Sequence, residues 1–229
     1  MKWFPGAGRS ERIGAMAERD LFADGDFGAS VWELPLAEAA YFVIDIETSG
    51  FSAVSDVILS LAAGCMCGSN PKLDPTLYEL VRPEDVRRIP ERVWALTGLT
   101  PEAVNDGAPL DDVLYRALAM SVHRVWVAHH ARHELSFLQR HTRRIWKMPL
   151  RPIVIDTSVV ARALWRLPSV PTLESVCCAL DIPVANRHRA DADIAMTAEV
   201  WAREQVLCEQ LGLKTVSEVV EWAAAHAFG

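Results

Sequence analysis

Seven consecutive residues, Tyr41-Phe-Val-Ile-Asp-Ile-Glu47, constrain this chain more than any other stretch. The run is short, apolar and rich in β-branched and aromatic residues, so it reads as a buried strand. Asp45 and Glu47 interrupt it near its end. Two residues apart on a strand, they project from the same face. Side-by-side ionised carboxylates repel, and burying them unpaired is costly. A divalent cation would resolve that conflict, because Mg²⁺ and Mn²⁺ take hard oxygen ligands. The pair alone also fits a strand end whose acids face water or pair with arginines.

The chain around this strand has 229 residues, 51% hydrophobic and 23% charged. That profile excludes a disordered chain, a collagen-like repeat and a disulfide-stapled miniprotein, and it suffices for one sizeable domain. Residues 57–67 and 77–82 read as two more strands around the turn-rich Gly68-Ser-Asn-Pro71, which predicts an antiparallel meander. Helical patterns follow over 90–96, from Thr100-Pro101, and over 110–122, with Thr100 as cap and Pro101 in the first turn. A fourth strand over 124–129 runs straight into a helix over 131–145. A fifth strand over 152–156 precedes a helix over 157–165. Further helices cover 172–180 and 191–211, the latter ended by Gly212. A last one opens at Thr215, where Glu218 completes a capping box. The expectation is one mixed α/β domain over 40–229. An N-terminal extension over 1–39, partly irregular and with one helix near 10–21, leads into it.

The five cysteines form no CxxC pair and read as buried, reduced thiols. The N-terminus lacks an apolar stretch before a small-residue cleavage site, and nothing approaches the roughly 18 apolar residues of a membrane span. A cytoplasmic protein without membrane contact is expected.

Two further segments concentrate unusual residues. In His188-Arg-Ala-Asp-Ala-Asp193, Asp191 and Asp193 point to different sides of a helix, so one of them can join a shared site. Asp191 by itself fits a helix N-terminal acid, and His188 by itself a solvated loop histidine. In His129-His-Ala-Arg-His-Glu-Leu-Ser-Phe137 the clustered histidines raise zinc, but the zincin HExxH spacing is missing, because Phe137 stands where the second His belongs.

Together the three segments resemble the DEDDh, or DnaQ-like, 3′–5′ exonuclease family of the RNase H-like superfamily. DIETSG from Asp45 matches that family's DxETTG, HHARHELSF resembles its HNAxFDxxF, and HRADAD matches its last motif, in which a His precedes the final Asp by five. Softer similarities lie at Pro83, Ile89-Pro90, Thr97-Gly-Leu-Thr100, Thr172-Leu-Glu and Leu180-Asp-Ile-Pro183. The resemblance spans about residues 40–210, in order and at the family's spacing. It implies an RNase H-like mixed sheet of five strands, the first three antiparallel, flanked by helices. It also implies Asp45, Glu47, Glu134 and Asp193 as catalytic metal-binding acids for two Mg²⁺ or Mn²⁺ ions, and His188 as general base. Thr48, Ser49, Gly50, Phe51 and His129 would contact substrate. The chain departs from the pattern at Glu134, where Asp is usual, and at His130, where Asn is usual. Glu keeps the charge but adds a methylene, so its reach and rotamers change.

The residue types suit phosphodiester hydrolysis on their own chemistry: two divalent ions and a histidine near pH 7 activate water and neutralise the leaving oxygen. The expected activity is a metal-dependent 3′–5′ exonuclease acting on single-stranded 3′ ends, DNA more than RNA, and releasing nucleoside 5′-monophosphates. An RNA exonuclease of the oligoribonuclease or RNase T type is the nearest rival. A weakened nuclease fold serving as a polymerase-associated module is another. A clamp-binding peptide at Gln210-Leu-Gly-Leu-Lys214 lacks its aromatic and reads better as a helix end.

Net charge refines the substrate. The total is −7, but residues 78–170 carry 14 basic and 10 acidic side chains. Wrapping duplex DNA by bulk charge is excluded, while gripping one strand is not.

Overall fold

The computed structural model describes residues 31–185 and 188–227. The helix expected near 10–21 lies outside them. Five strands form one sheet in the order β3-β2-β1-β4-β5. β1 (Ala40–Thr48), β2 (Ile58–Cys67) and β3 (Thr76–Leu80) are the antiparallel meander, and β4 (Val125–Ala128) and β5 (Val154–Asp156) join parallel to β1. Between β3 and β4 come α1 (Glu91–Thr97), α2 (Pro101–Asn105) and α3 (Leu110–Ser121). Then α4 (Arg132–Trp146) links β4 to β5, and α5 (Thr157–Trp165), α6 (Leu173–Ala179), α7 (Ala190–Gln210) and α8 (Val216–Ala227) follow. This is the mixed sheet with an antiparallel first half that the sequence predicts.

The alternation of β1 divides the core. Tyr41 and Val43 pack on one face with Ile194, Ala198 and Trp201 of α7. Phe42, Ile44 and Ile46 pack on the other with α3 and with Phe137 and Leu138 of α4. Each buried aliphatic or aromatic side chain contributes on the order of 1.5–3 kcal/mol, so the two faces fix strand register strongly.

Three local devices match the sequence reading. Thr100 Oγ1 accepts from the Ala103 N–H with Pro101 in the first turn of α2. Thr215 and Glu218 close a reciprocal capping box at 3.0 and 3.3 Å. Gly212 is left-handed just beyond α7, so the segment around Gln210 is a helix end. Leu36 and Ala39 are fully buried, and residues 34–36 bond to the start of α8, so packing reaches back before residue 40. One expectation is corrected. Cys67 and Cys178 are exposed, one at the last position of β2 and the other on the outer side of α6; Cys65, Cys177 and Cys208 are buried as expected. No helix among the described residues is long and apolar enough to cross a membrane.

Candidate active site

The odd-numbered row of β1 changes character along its length. Tyr41 and Val43 are core, and Asp45 and Glu47 continue the same row. The ladder to β4 covers Tyr41 to Val43 and stops, so the acidic end of β1 outruns its parallel neighbour. From α7, Asp193 enters the same face in the first turn, 5% exposed. One carboxylate oxygen each from Asp45, Glu47 and Asp193 lie within 4.8 Å of one another. The helix N-terminus offsets part of the charge at Asp193, by about 0.3–1 kcal/mol, which is small against three converging carboxylates. A divalent cation fits this donor set. Asp191 instead pairs with Arg189 at 2.9 Å, on the other side of the helix as its spacing requires.

Glu134 stands outside that cluster but beside it. It lies in the first turn of α4, 4% exposed, and among the described residues its Oε2 has no hydrogen-bond partner. Burial pushes its carboxyl well above the usual range, and the charges of Asp156 and Glu47 push the same way. A nearby divalent cation would offset both penalties.

The turn from β4 into α4 is organised by Asp156, a residue the sequence reading left as the end of a strand. Its carboxylate accepts from the His130 and Ala131 N–H groups at 3.1 and 2.9 Å and from Ser158 N–H and Oγ–H at 3.0 and 2.7 Å. One side chain thus caps α5 and sets the start of α4, which carries Glu134. The signal was present: Asp followed two residues on by Ser, at a strand-to-helix junction, is an N-cap pattern. His130 has φ 60. Asn and His are both enriched in that left-handed conformation, so the replacement of the family's Asn preserves what the backbone demands.

His129 is buried. Its Nδ1 is 2.8 Å from Thr157 Oγ1, and its Nε2 is 3.0 Å from the Pro171 carbonyl. A carbonyl only accepts, so Nε2 carries a proton directed at Pro171. With both nitrogens engaged, His129 ties the end of β4 to the start of α5 and to the Pro171 backbone. His133 lies nearer the loop after β1, with Nε2 3.3 Å from Thr48 Oγ1 and its ring beside Phe51.

The loop after β1 is held by its own side chains. Ser49 Oγ donates to Asp56 Oδ1 and accepts from the Val57 N–H, and the Ser52 N–H donates to Asp56 Oδ2. Thr48 Oγ1 donates to the Gly50 carbonyl at 2.7 Å. A Cβ on Gly50 would come within 2.6 Å of Asp56, so the closure requires glycine there. Phe51 is 94% exposed at the tip of this loop. His188 is half-buried in the turn before α7, with φ 62, and lies outside the carboxylate cluster; among the described residues it has no hydrogen-bond partner.

Comparison with known proteins gives concordant results. The RNase_T model, described as exonuclease, matches residues 42–201. A DNA polymerase III PolC-type protein of Caldanaerobacter subterraneus subsp. tengcongensis is 28% identical over 80% of this chain and 13% of its own length. One from Oceanobacillus iheyensis is 32% identical over 76% of this chain and 12% of its own. The 3′-5′ exonuclease DinG of Staphylococcus haemolyticus is 25% identical over 80% of this chain and 20% of its own. The chain therefore spans a fifth or less of these relatives. In fold it is similar to E. coli Exonuclease I in complex with a dT13 oligonucleotide, with TM-score 0.66 and 19% identity over 76% of this chain and 43% of that one. It is also similar to Exonuclease X in complex with 5′ overhanging duplex DNA, with TM-score 0.60 and 21% identity over 80% and 99%.

Proposed function

The chain belongs to the RNase_T exonuclease family, and from that premise we propose that it removes nucleotides one at a time from the 3′ end of single-stranded DNA. The observation that carries the reading is the convergence of Asp45, Glu47 and Asp193 within 4.8 Å at the end of β1. Relatives named as DNA polymerases support DNA over RNA as substrate and a polymerase as functional neighbour.

Asp45, Glu47 and Asp193 would hold one divalent ion, and Glu47 with Glu134 would complete the shell of a second. When bound, such ions supply electrostatic stabilisation of the pentavalent phosphate and its leaving oxygen. Mg²⁺ or Mn²⁺ fits, because all four donors are carboxylates. His188, five residues before Asp193, takes the proton of the attacking water. Backbone around Thr48–Gly50 meets the terminal sugar, and Phe51 offers a face to the last base.

The test is a 5′-labelled single strand incubated with Mg²⁺, resolved as a ladder over time, beside Asp45→Asn and an RNA strand of the same sequence. Stepwise shortening from the 3′ end, with the variant slower by at least about a hundredfold, is expected. Unchanged shortening in Asp45→Asn would refute the site, and preferred RNA cleavage would refute the substrate.

A further inference from the structure

Helix α4 carries a row of cations on the side turned away from the core. Its acid, Glu134, faces inward. Arg132, Ser136, Arg140, Arg143 and the capping Lys147 are all exposed, and at about 100° per residue they fall within an arc of roughly 80°. Arg144, also exposed, flanks the row. The row is about 22 Å long at about 1.5 Å per residue. Among the described residues none of these five cations makes an ion pair. Their charge is left for something outside the domain.

The loop after β1 runs along the first two turns of this row. The Phe51 ring is 6.0 Å from that of His133. Farther along, the Val54 carbonyl accepts from Arg140 Nη2 at 3.2 Å. Phe51 and Val54 are 94% and 73% exposed, the two most exposed large apolar side chains described. An unpaired cationic row edged by an open aromatic and an aliphatic side chain suits a polyanion that also has flat apolar faces. Single-stranded DNA has both, in its phosphates and its bases, whereas an acidic peptide has the charge alone.

We propose that the α4 row and the Phe51–Val54 edge form a track for the single strand lying 5′ of the nucleotide being removed, held through its phosphates without base reading. This rests on the exonuclease reading, since the row begins within one turn of Glu134. The test is anisotropy without divalent metal, using labelled oligothymidylates of about fifteen and about three nucleotides over a range of salt. The expected result is that the intact protein favours the longer strand. In Arg143→Gln/Lys147→Gln that preference shrinks by about tenfold, and the salt slope for the longer strand falls by about 1.4, or 0.7 per lost cation. Arg92→Gln, an exposed arginine on α1, is the control. Unchanged affinity and slope in the double variant would overturn the track, and so would an equal loss per charge in the control. Hydrolysis by the intact protein is measured separately with Mg²⁺. If neither oligomer is cut, the exonuclease reading fails, while the binding comparison still decides the track.

Discussion

Two buried titratable residues set opposite pH slopes. Burial lowers the His141 pKa to about 4, helped by Arg144 and Arg140, and neither ring nitrogen has a partner. The unfolded chain takes up a proton below the ordinary histidine value near 6.5, and the folded chain resists until about 4. Stability is therefore lost as pH falls through that window, by up to about 2–3 kcal/mol. His141→Leu should flatten this acid limb, read as the thermal midpoint between pH 7 and pH 4. Glu134 has the other sign. Its folded pKa is raised, so stability of the metal-free protein is greatest below the unfolded carboxylate value and declines as pH rises above it. Glu134→Gln should raise the metal-free midpoint at pH 8 yet slow cleavage by about tenfold or more, because the ligand proposed for the second ion is lost. A variant destabilised at pH 8 would argue against the burial account. Among site residues, Asp45, Glu47 and Asp193 were legible because acids in apolar or helix-start positions are anomalies visible in one dimension. The placement of His129 was not, because its partners Thr157 and Pro171 are far away in sequence and nothing local announces them.

At the level of elements, the loop over residues 49–56 decides whether Phe51 is presented. Asp56 gathers the Ser49 hydroxyl and the Ser52 N–H, and the space for it exists because residue 50 has no Cβ. Asp56→Ala should loosen the loop with little effect on the global midpoint. Hydrogen exchange at residues 50–55 should rise severalfold, and KM for a DNA strand should rise while kcat changes less. Unaltered exchange would show that the staple is not what holds the loop. Strands and helices themselves were readable to within a residue or two, since alternation along β1 and caps at Thr100 and Thr215 act locally. The short 3₁₀ turn over Val86–Arg88, capped by Asp85, has no periodic signal and went unseen. So did the docking of residues 34–36 onto α8, a contact between segments about 180 residues apart.

Over the whole molecule, charge is divided rather than averaged. The acids of β1 and α7 meet on one face of the sheet, and the cations of α4 lie on a helix that packs on the other. Glu134, in the first turn of α4, lies near Glu47 at the end of β1. A net charge of −7 therefore coexists with a surface suited to one DNA strand. The central claim is that strand and helix build a divalent-cation site from Asp45, Glu47 and Asp193. Calorimetric titration of the metal-free protein with Mn²⁺ tests it most directly, beside Asp193→Asn. Saturable binding that weakens by at least about tenfold in the variant is the predicted result. Equal Mn²⁺ affinity in the two proteins would contradict it.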